Sequence, residues 1–309
     1  MKTFKNILDF QKEFSSEEKC REYLEQQRWN GNVECPFCGC TKVYRTNRGF
    51  KCADKFCAKK FSVTTGTIYE NNKVGLRTFF AALYLISSSK KGISSLQLSR
   101  QLGITQKSAW FVLHRIREML KEKTPVALSN TVEVDETYIG GKYKNKHKSV
   151  RKAAHESNAS HVDNKTCVVA LLERNNKVKT HVHTNKALTL KDMVRLHVDK
   201  SATIYTDSLT AYKGLDKEFA GHEIVNHYEE EYVRGTVYTN SVEGFFSILK
   251  RGIYGIYHQV SPKHLHRYCI ETAYRYNTRK IKDVERFDTS VKRCEGRLKY
   301  KDLIKKEAL

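Results

Sequence analysis

The sequence predicts a large α/β domain that follows a small cysteine-rich domain and a small helical domain. Three observations support this: five cysteines lie within residues 35–57, residues 75–122 have apolar side chains at helical spacing, and residues 126–281 alternate strand-like and helix-like segments. A chain of 309 residues with 39% hydrophobic residues can fill the cores of such an arrangement. The predicted segments are a helical lead-in (1–30), the cysteine-rich domain (31–70), the helical domain (75–122), the α/β domain (126–281) and a basic C-terminal segment (282–309).

The charge balance predicts an anionic partner. Lys and Arg total 56 against 34 Asp and Glu, a net charge of +22. Such an excess opposes a compact fold by self-repulsion, and nucleic acid is its usual partner. The alternative is a basic surface that serves solubility. No apolar run approaches the length of a membrane span, and no secretory signal is present near Met1, so we expect no membrane partner and a cytoplasmic protein that joins the nucleoid when bound to DNA.

Four of the cysteines form two knuckles, Cys35 with Cys38 and Cys52 with Cys57, separated by 13 residues. The total of nine cysteines is odd and their placement is uneven, which argues against disulfides. Four thiolates around one tetrahedral Zn²⁺ would stabilise a segment too small for its own core, so a structural zinc ribbon is predicted. Cys40 is an alternative ligand.

The helical domain contains a short helix that stops at Gly103 and a longer helix that starts near Thr105. This pattern is typical of a helix-turn-helix, whose second helix enters a DNA groove. Gln106, Lys107 and Ser108 would then face the groove, and Arg115 would lie toward phosphates. A plain packing hairpin is the alternative.

In residues 126–281 the pattern predicts three antiparallel strands, a helix, two further strands and two closing helices. This order describes a ribonuclease-H-like α/β domain, which here follows the zinc ribbon and the helix-turn-helix-like domain.

Three acidic residues in this domain suggest a metal site. Asp135 lies within one apolar strand, Asp207 ends another, and Glu243 lies on a helix. An aspartate among apolar strand residues is costly unless it is paired or binds a cation. Three such carboxylates can hold two Mg²⁺ (or Mn²⁺) ions for phosphodiester chemistry, whereas each acid alone would more simply be a cap or a salt bridge. Because side chains alternate along a strand, Glu136 should point away from Asp135, whereas Glu133 should lie on the same face as Asp135. Glu133 would then form a salt bridge or act as an acid just outside the metal ligands.

Three segments resemble the acid motifs of bacterial insertion-sequence DDE transposases of the ISXO-like group, relatives of the Merlin transposons with an N-terminal zinc ribbon. They are residues 132–142 (VEVDETYIGGK), 205–208 (YTDS) and 239–252 (TNSVEGFFSILKRG). The 35 residues between Asp207 and Glu243 are similar to the spacing in the wider DDE group, and residues 61–67 (FSVTTGT) after the ribbon also resemble it.

The resemblance implies that Asp135, Asp207 and Glu243 are catalytic metal ligands. It implies that Lys250, two helical turns after Glu243, contacts DNA phosphate, and Arg251 beside it is a further DNA contact. Many members of the group carry Asn where this chain has Glu243, and the acid favours a full three-carboxylate site. Possible accessory residues are Asn240 and His227; the latter would orient a phosphate or the nucleophile, or be a surface histidine.

The function implied is a DNA transposase that binds the terminal inverted repeats of an insertion sequence and catalyses strand cleavage and strand transfer. Its partners would be those repeats and target DNA, bound by a homodimer or larger assembly on paired ends. The alternatives are a DNA-binding regulator with a degenerate catalytic domain, and a ribonuclease-H-like nuclease that cuts without joining.

Overall fold

The computed structural model describes residues 4–123, 126–141, 145, 147–149, 151–152, 165–183, 189–225 and 233–305. They belong to two compact units. The first unit combines residues 1–120 with residues 280–309, and the second consists of residues 121–279. The chain therefore leaves the first unit, builds the second and returns.

The described part of the first unit contains seven helices, and the first two, the fourth and the fifth begin at side-chain caps. Their bounds are α1 (Ile7–Glu13), α2 (Glu17–Trp29), α3 (Leu76–Ser88), α4 (Ser95–Leu102), α5 (Gln106–Met119), α9 (Asp283–Lys292) and α10 (Tyr300–Ile304). The predicted helical lead-in is two helices, because Asn6 and Ser16 each cap a new one. Gly103 ends α4 at φ 64°, in the left-handed region, and the Thr105 hydroxyl accepts from the Ser108 N–H at 3.2 Å to start α5. The two helices predicted around Gly103 are thus both present.

An aromatic cluster forms the core of these helices and draws on both ends of the chain. Its rings lie with centroids 4.8 to 6.3 Å apart and belong to Phe4, Phe10, Phe14, Tyr23, Phe80, Tyr84 and Phe287. Phe287 on α9 is fully buried among them. The basic composition of residues 282–309 gave no sign of this core residue, because one aromatic side chain carries the contact.

The cysteine-rich segment carries a small antiparallel sheet of β1 (Val43–Thr46), β2 (Gly49–Cys52) and β3 (Lys60–Phe61). Phe50 and Phe61 stack at 5.5 Å, and Trp29 from α2 meets Phe50 edge-on at 5.4 Å. Gly49 has φ 135°, and a Cβ there would lie 2.4 Å from the Phe61 carbonyl oxygen, so the close approach of these strands requires glycine.

The second unit is built on a five-stranded mixed sheet in the order β6-β5-β4-β7-β8. Its strands are β4 (Thr131–Ile139), β5 (Thr166–Glu173), β6 (Val178–His183), β7 (Thr203–Asp207) and β8 (Gly221–Val225). β4, β5 and β6 are antiparallel neighbours, whereas β7 runs parallel to β4 and β8 parallel to β7. The helices are α6 (Leu190–His197), α7 (Asn240–Gly252) and α8 (Pro262–Asn277), and a π-helical turn, Ile253–Tyr257, follows α7.

The sheet is covered on both faces. Val132 and Val134 of β4 belong to a buried cluster with Met193 and Val194 of α6. Ile139 belongs to a second cluster with α7 and α8 residues. Because side chains alternate along a strand, the odd-numbered residues of β4, including Glu133 and Asp135, project toward α7. The predicted α/β class is confirmed. Within the residues that the structure describes, no helix is long and apolar enough to cross a membrane.

Candidate active site

Two of the predicted acids lie on adjacent parallel strands. Glu133 of β4 lies opposite Tyr205 of β7. The pairing ends there, and Asp135 and Asp207 each follow two residues further along their strands. Neighbouring strands lie about 4.8 Å apart, and residues two apart share a face. Both aspartates therefore project from the face that α7 covers.

Asp135 is half-buried, and its surroundings disfavour its charge. Burial raises the pKa of Asp135 to about 7, with the charges of Glu136, Asp207 and Glu243 contributing in the same direction. One carboxylate oxygen accepts the Glu136 N–H at 2.8 Å, which opposes the shift. Asp207 has a comparable main-chain partner, the Leu209 N–H at 3.1 Å. Hard divalent cations prefer carboxylate oxygens, so this donor set fits Mg²⁺ or Mn²⁺.

Glu136 lies on the opposite face of β4, as its position predicts. Its carboxylate accepts a hydrogen bond from the Tyr212 hydroxyl at 2.8 Å, and Tyr212 is fully buried in the cluster under α6. Burial raises the pKa of Glu136, and the charge of Asp207 adds to the effect, while the Tyr212 bond opposes it. Glu136 therefore adds negative charge beside the aspartates without sharing their face.

Glu243 lies in the first turn of α7 on its exposed side, where its carboxylate accepts the Thr239 hydroxyl at 3.0 Å. Lys250 is exposed two turns further on, and Arg251 beside it is exposed with its Nε bonded to the Ser247 carbonyl at 3.1 Å. Asn240 is exposed as the first residue of the helix. The buried side of α7 carries its aromatic residues, so the acid and the two cations share the side left open to solvent.

A buried ion pair fixes the start of α7. Glu133 is fully buried; one of its oxygens accepts the main-chain N–H groups of Ser241 and Val242 at 2.9 and 3.0 Å, and the other binds Arg174 Nε at 2.7 Å. A carboxylate at a helix N-terminus satisfies unpaired N–H groups and complements the helix dipole. Glu133, a residue of the Asp135 strand, thus caps the helix that carries Glu243.

Arg174 extends this contact to the segment before the helix. Its two terminal nitrogens donate to the carbonyls of Thr236 and Tyr238 at 2.7 and 2.9 Å, and its guanidinium lies 3.7 Å from the Tyr238 ring centroid. The expected salt bridge of Glu133 is present. Arg174 follows β5 in a charged turn, and the sequence contains no signal that singles it out.

The four predicted zinc ligands converge in the first unit. The ligand atoms of Cys35, Cys38, Cys52 and Cys57 all lie within 4.8 Å of one another, with Sγ–Sγ distances of 3.5 Å for Cys38–Cys52 and 3.8 Å for Cys35–Cys57. A zinc–sulfur bond of about 2.3 Å in a tetrahedron gives sulfur–sulfur distances of about 3.8 Å. The thiols therefore fit one structural zinc ion, and the alternative ligand, Cys40, lies outside the group.

The three predicted catalytic acids do not converge as closely as the four cysteines do. Among the residues that the structure describes, the four cysteines are the one group of three or more metal-ligand side chains whose ligand atoms converge. The charges of Asp207 and Glu243 help to raise the pKa of Asp135, but the three carboxylates form no cluster of that compactness.

The predicted DNA contacts of α5 differ in accessibility. Gln106 and Lys107 are exposed and Ser108 is half-exposed. Arg115 is only 3% exposed, and its guanidinium donates to the main-chain carbonyls of Glu70 and Leu298 at 2.5 and 3.4 Å. Because the Arg115 side chain is enclosed by these contacts, the structure does not present it to a DNA phosphate as the sequence predicted. The accessory candidate His227 lies outside the described residues.

Comparison with known proteins identifies the family. Residues 15–60 match a transposase zinc-ribbon domain, and residues 127–277 match the ISXO2-like transposase domain. The chain is 30% identical over 253 residues to an uncharacterised protein in the transposable element ISH50 of Halobacterium salinarum, a match that covers 78% of this chain and 84% of that protein. The chain belongs to the ISXO2-like transposases. The resemblance predicted from the acid motifs is thereby confirmed for this ISXO2-like transposase, and its four-cysteine cluster lies within the matched ribbon.

Proposed function

We propose that this chain binds the terminal inverted repeats of an insertion sequence and catalyses metal-dependent DNA cleavage and strand transfer. The observation that carries the proposal is the parallel pairing of β4 and β7, which ends at Glu133 and Tyr205, two residues before Asp135 and Asp207 on the two strands. The sheet order and strand directions support a ribonuclease-H-like catalytic domain, since three antiparallel strands are followed by two parallel ones.

In this proposal Asp135, Asp207 and Glu243 hold two Mg²⁺ or Mn²⁺ ions. When bound, these ions would activate the attacking oxygen and stabilise the leaving oxygen of an in-line displacement. The chain's own part is to supply oxygen ligands and to orient them. Burial and neighbouring negative charge raise the pKa of Asp135, so a cation and a proton compete for its carboxylate near neutral pH.

The Glu133–Arg174 pair has a positioning role. It holds the first N–H groups of α7 and the carbonyls just before them, which fixes where Glu243 emerges relative to β4. Lys250 and Arg251, exposed on the same helix, then meet DNA phosphates on the solvent side. Asn240 and His227 remain candidates for accessory contacts.

DNA recognition is assigned to the first unit. The α4–α5 pair acts as a helix-turn-helix in which Gln106, Lys107 and Ser108 approach the bases. The net charge of +22 supports a DNA partner. We expect a homodimer or larger assembly on paired ends, located at the nucleoid when bound.

The test is an end-joining assay with purified zinc-loaded protein, Mg²⁺ or Mn²⁺, DNA that carries the element's terminal repeats, and a target plasmid. Asp135→Asn, Asp207→Asn and Glu243→Gln should each reduce joined product at least about a hundredfold, because each removes a ligand from the reacting centre. Asp216→Asn is the matched control, since Asp216 is an exposed acid of the same unit, and it should join ends at the wild-type rate.

Three other results would contradict the proposal. Equal joining by the three acid variants would reject the site. Cleavage without joining by the wild type would favour a nuclease. Repeat-specific binding that persists without any cleavage in Mg²⁺ or Mn²⁺ would favour a DNA-binding regulator.

A further inference from the structure

The first unit contains a cavity of about 520 Å³ beside the start of α5. One wall is the face of α5 that carries Lys107 and Arg115, and another is the C-terminal stretch Arg297 to Tyr300. Lys73, from the segment before α3, also lines it. Residues far apart in the sequence therefore enclose one concavity next to the helix that is proposed to read DNA.

The lining of this cavity is strongly cationic. Five of its residues are Lys or Arg, and none of the described lining residues is acidic. Glu70, which is not part of the lining, pairs with Arg297 at 3.4 Å. Burial lowers the pKa of Arg115, and the charge of Arg297 lowers it further. Like charges gathered in one concavity oppose folding unless an anion joins them.

Hydrogen bonds and aromatic contacts hold the C-terminal wall of the cavity against α5. Arg115 binds the carbonyls of Glu70 and Leu298 and so ties the C-terminal stretch to α5. The Tyr300 ring lies 5.3 Å from the Phe111 ring, and the Lys107 ammonium lies 5.1 Å from the Tyr300 ring centroid. The positions of Lys107 and of the neighbouring Lys299 are thereby restricted before any ligand arrives.

We propose that this cavity binds a backbone phosphate of duplex DNA next to the bases read by α5, with Lys73, Lys107, Arg297 and Lys299 as the phosphate contacts. The inference rests on the proposed DNA binding and adds the C-terminal stretch to it. Duplex DNA is favoured because the four cations are exposed at the rim and adjoin the first turn of α5. Phosphate contacts fix the register of a recognition helix without reading sequence.

Equilibrium binding without Mg²⁺ tests this assignment. Full-length zinc-loaded protein is titrated against two fluorescent duplexes, one with the element's terminal repeat and one with the same bases scrambled, over a range of salt concentrations. Arg297→Gln and Lys299→Gln should each weaken both duplexes by about fivefold and reduce the slope of log K against log salt by about 0.9, since each removes one phosphate contact. Lys12→Gln, which neutralises an exposed lysine on α1, should change neither.

A second arm separates recognition from phosphate contact. Gln106→Ala should weaken the repeat duplex more than the scrambled one, whereas Arg297→Gln and Lys299→Gln should weaken both equally. Wild-type affinity and salt slope in the Arg297→Gln and Lys299→Gln variants would overturn the inference.

The DNA-binding test and the end-joining test can fail independently, because binding is measured without Mg²⁺. A wild type that binds DNA through these residues but never joins ends would reject the catalytic proposal and leave the phosphate site standing. A wild type that joins ends while the two variants bind DNA normally would support the catalytic proposal and reject the phosphate site.

Discussion

The cysteine cluster and the acidic site represent two ways of preparing a chain for a metal ion. In the first unit, four thiol sulfurs converge to within 4.8 Å of one another. In the second unit, Asp135 and Asp207 lie on adjacent strands and Glu243 lies on α7, and no described group of acids converges comparably. Protonated thiols carry no charge and pack together readily, whereas carboxylates repel one another. A ligand set for a structural ion can thus be assembled by the fold, while the acidic set stays electrostatically unfavourable until a cation joins it.

The difference predicts that removing a ligand has opposite effects on stability at the two sites. Loss of a thiol removes a bond on which the ribbon depends. Loss of a carboxylate relieves repulsion.

The largest effect is expected at the ribbon. Cys52→Ser should abolish the zinc content and unfold residues 31–70, because structural zinc sites contribute about 10–16 kcal/mol of apparent binding free energy. Elemental analysis should give about one zinc per wild-type chain and none for the variant. Cys40→Ser is the matched control and should retain the metal, since the Cys40 sulfur lies outside the cluster. Full zinc in Cys52→Ser would contradict the ligand assignment.

The next effect concerns Glu133, an acid that is paired. Glu133→Gln should lower the free energy of unfolding by about 3 kcal/mol, because it leaves Arg174, with its side chain 17% exposed, without its partner and weakens the cap of α7. Denaturant unfolding measures the change. Glu223→Gln breaks an exposed pair with Arg234 in the same unit and should cost less than about 1 kcal/mol. Equal costs would remove the distinction between the two pairs.

Asp135, two residues from Glu133 on the same face, should behave in the opposite way. Asp135→Asn should raise the free energy of unfolding by about 2 kcal/mol at pH 8 without divalent cations. One pKa unit corresponds to about 1.4 kcal/mol, and partial exposure reduces the full value. The same denaturant series measures it, and a destabilised Asp135→Asn would show that the carboxylate is satisfied without a cation.

The smallest effect is a dependence on pH. The pKa of Asp135 is about 7 in the folded chain and about 3.9 in the unfolded chain, so the folded state holds the extra proton between these values. Its contribution to stability is complete below about pH 4 and is lost as pH rises through 7. Comparing thermal melts of the wild type and Asp135→Asn from pH 5 to 8 isolates this contribution, and a constant difference between them would contradict it. Added Mg²⁺ should raise the wild-type melting temperature more at pH 8 than at pH 5.5.

Much of this arrangement is predictable from local pattern. The strand that contains Asp135, the helix that contains Glu243 and the cysteine knuckles follow from periodicity and spacing, and the structure has them. The contacts that join distant segments are different. Arg174 binding Glu133, and Phe287 entering the aromatic core, depend on tertiary packing that alternation along one element does not encode.

Arg115 illustrates the same limit. An arginine on a predicted recognition helix suggests phosphate contact, but periodicity does not tell which arginines are enclosed by a returning chain. Its partners, Glu70 and Leu298, lie 45 and 183 residues away in the sequence.

The return of the chain to its first unit has a consequence for biosynthesis. Phe287 and the residues around Lys299 leave the ribosome after the whole five-stranded sheet has been made. A nascent chain can therefore complete the sheet while the aromatic core of the other unit still lacks a member and the cavity beside α5 still lacks a wall. The unit proposed to bind DNA is therefore completed only after the sheet, and a frameshift after residue 279 would damage that unit while leaving Asp135, Asp207 and Glu243 in place.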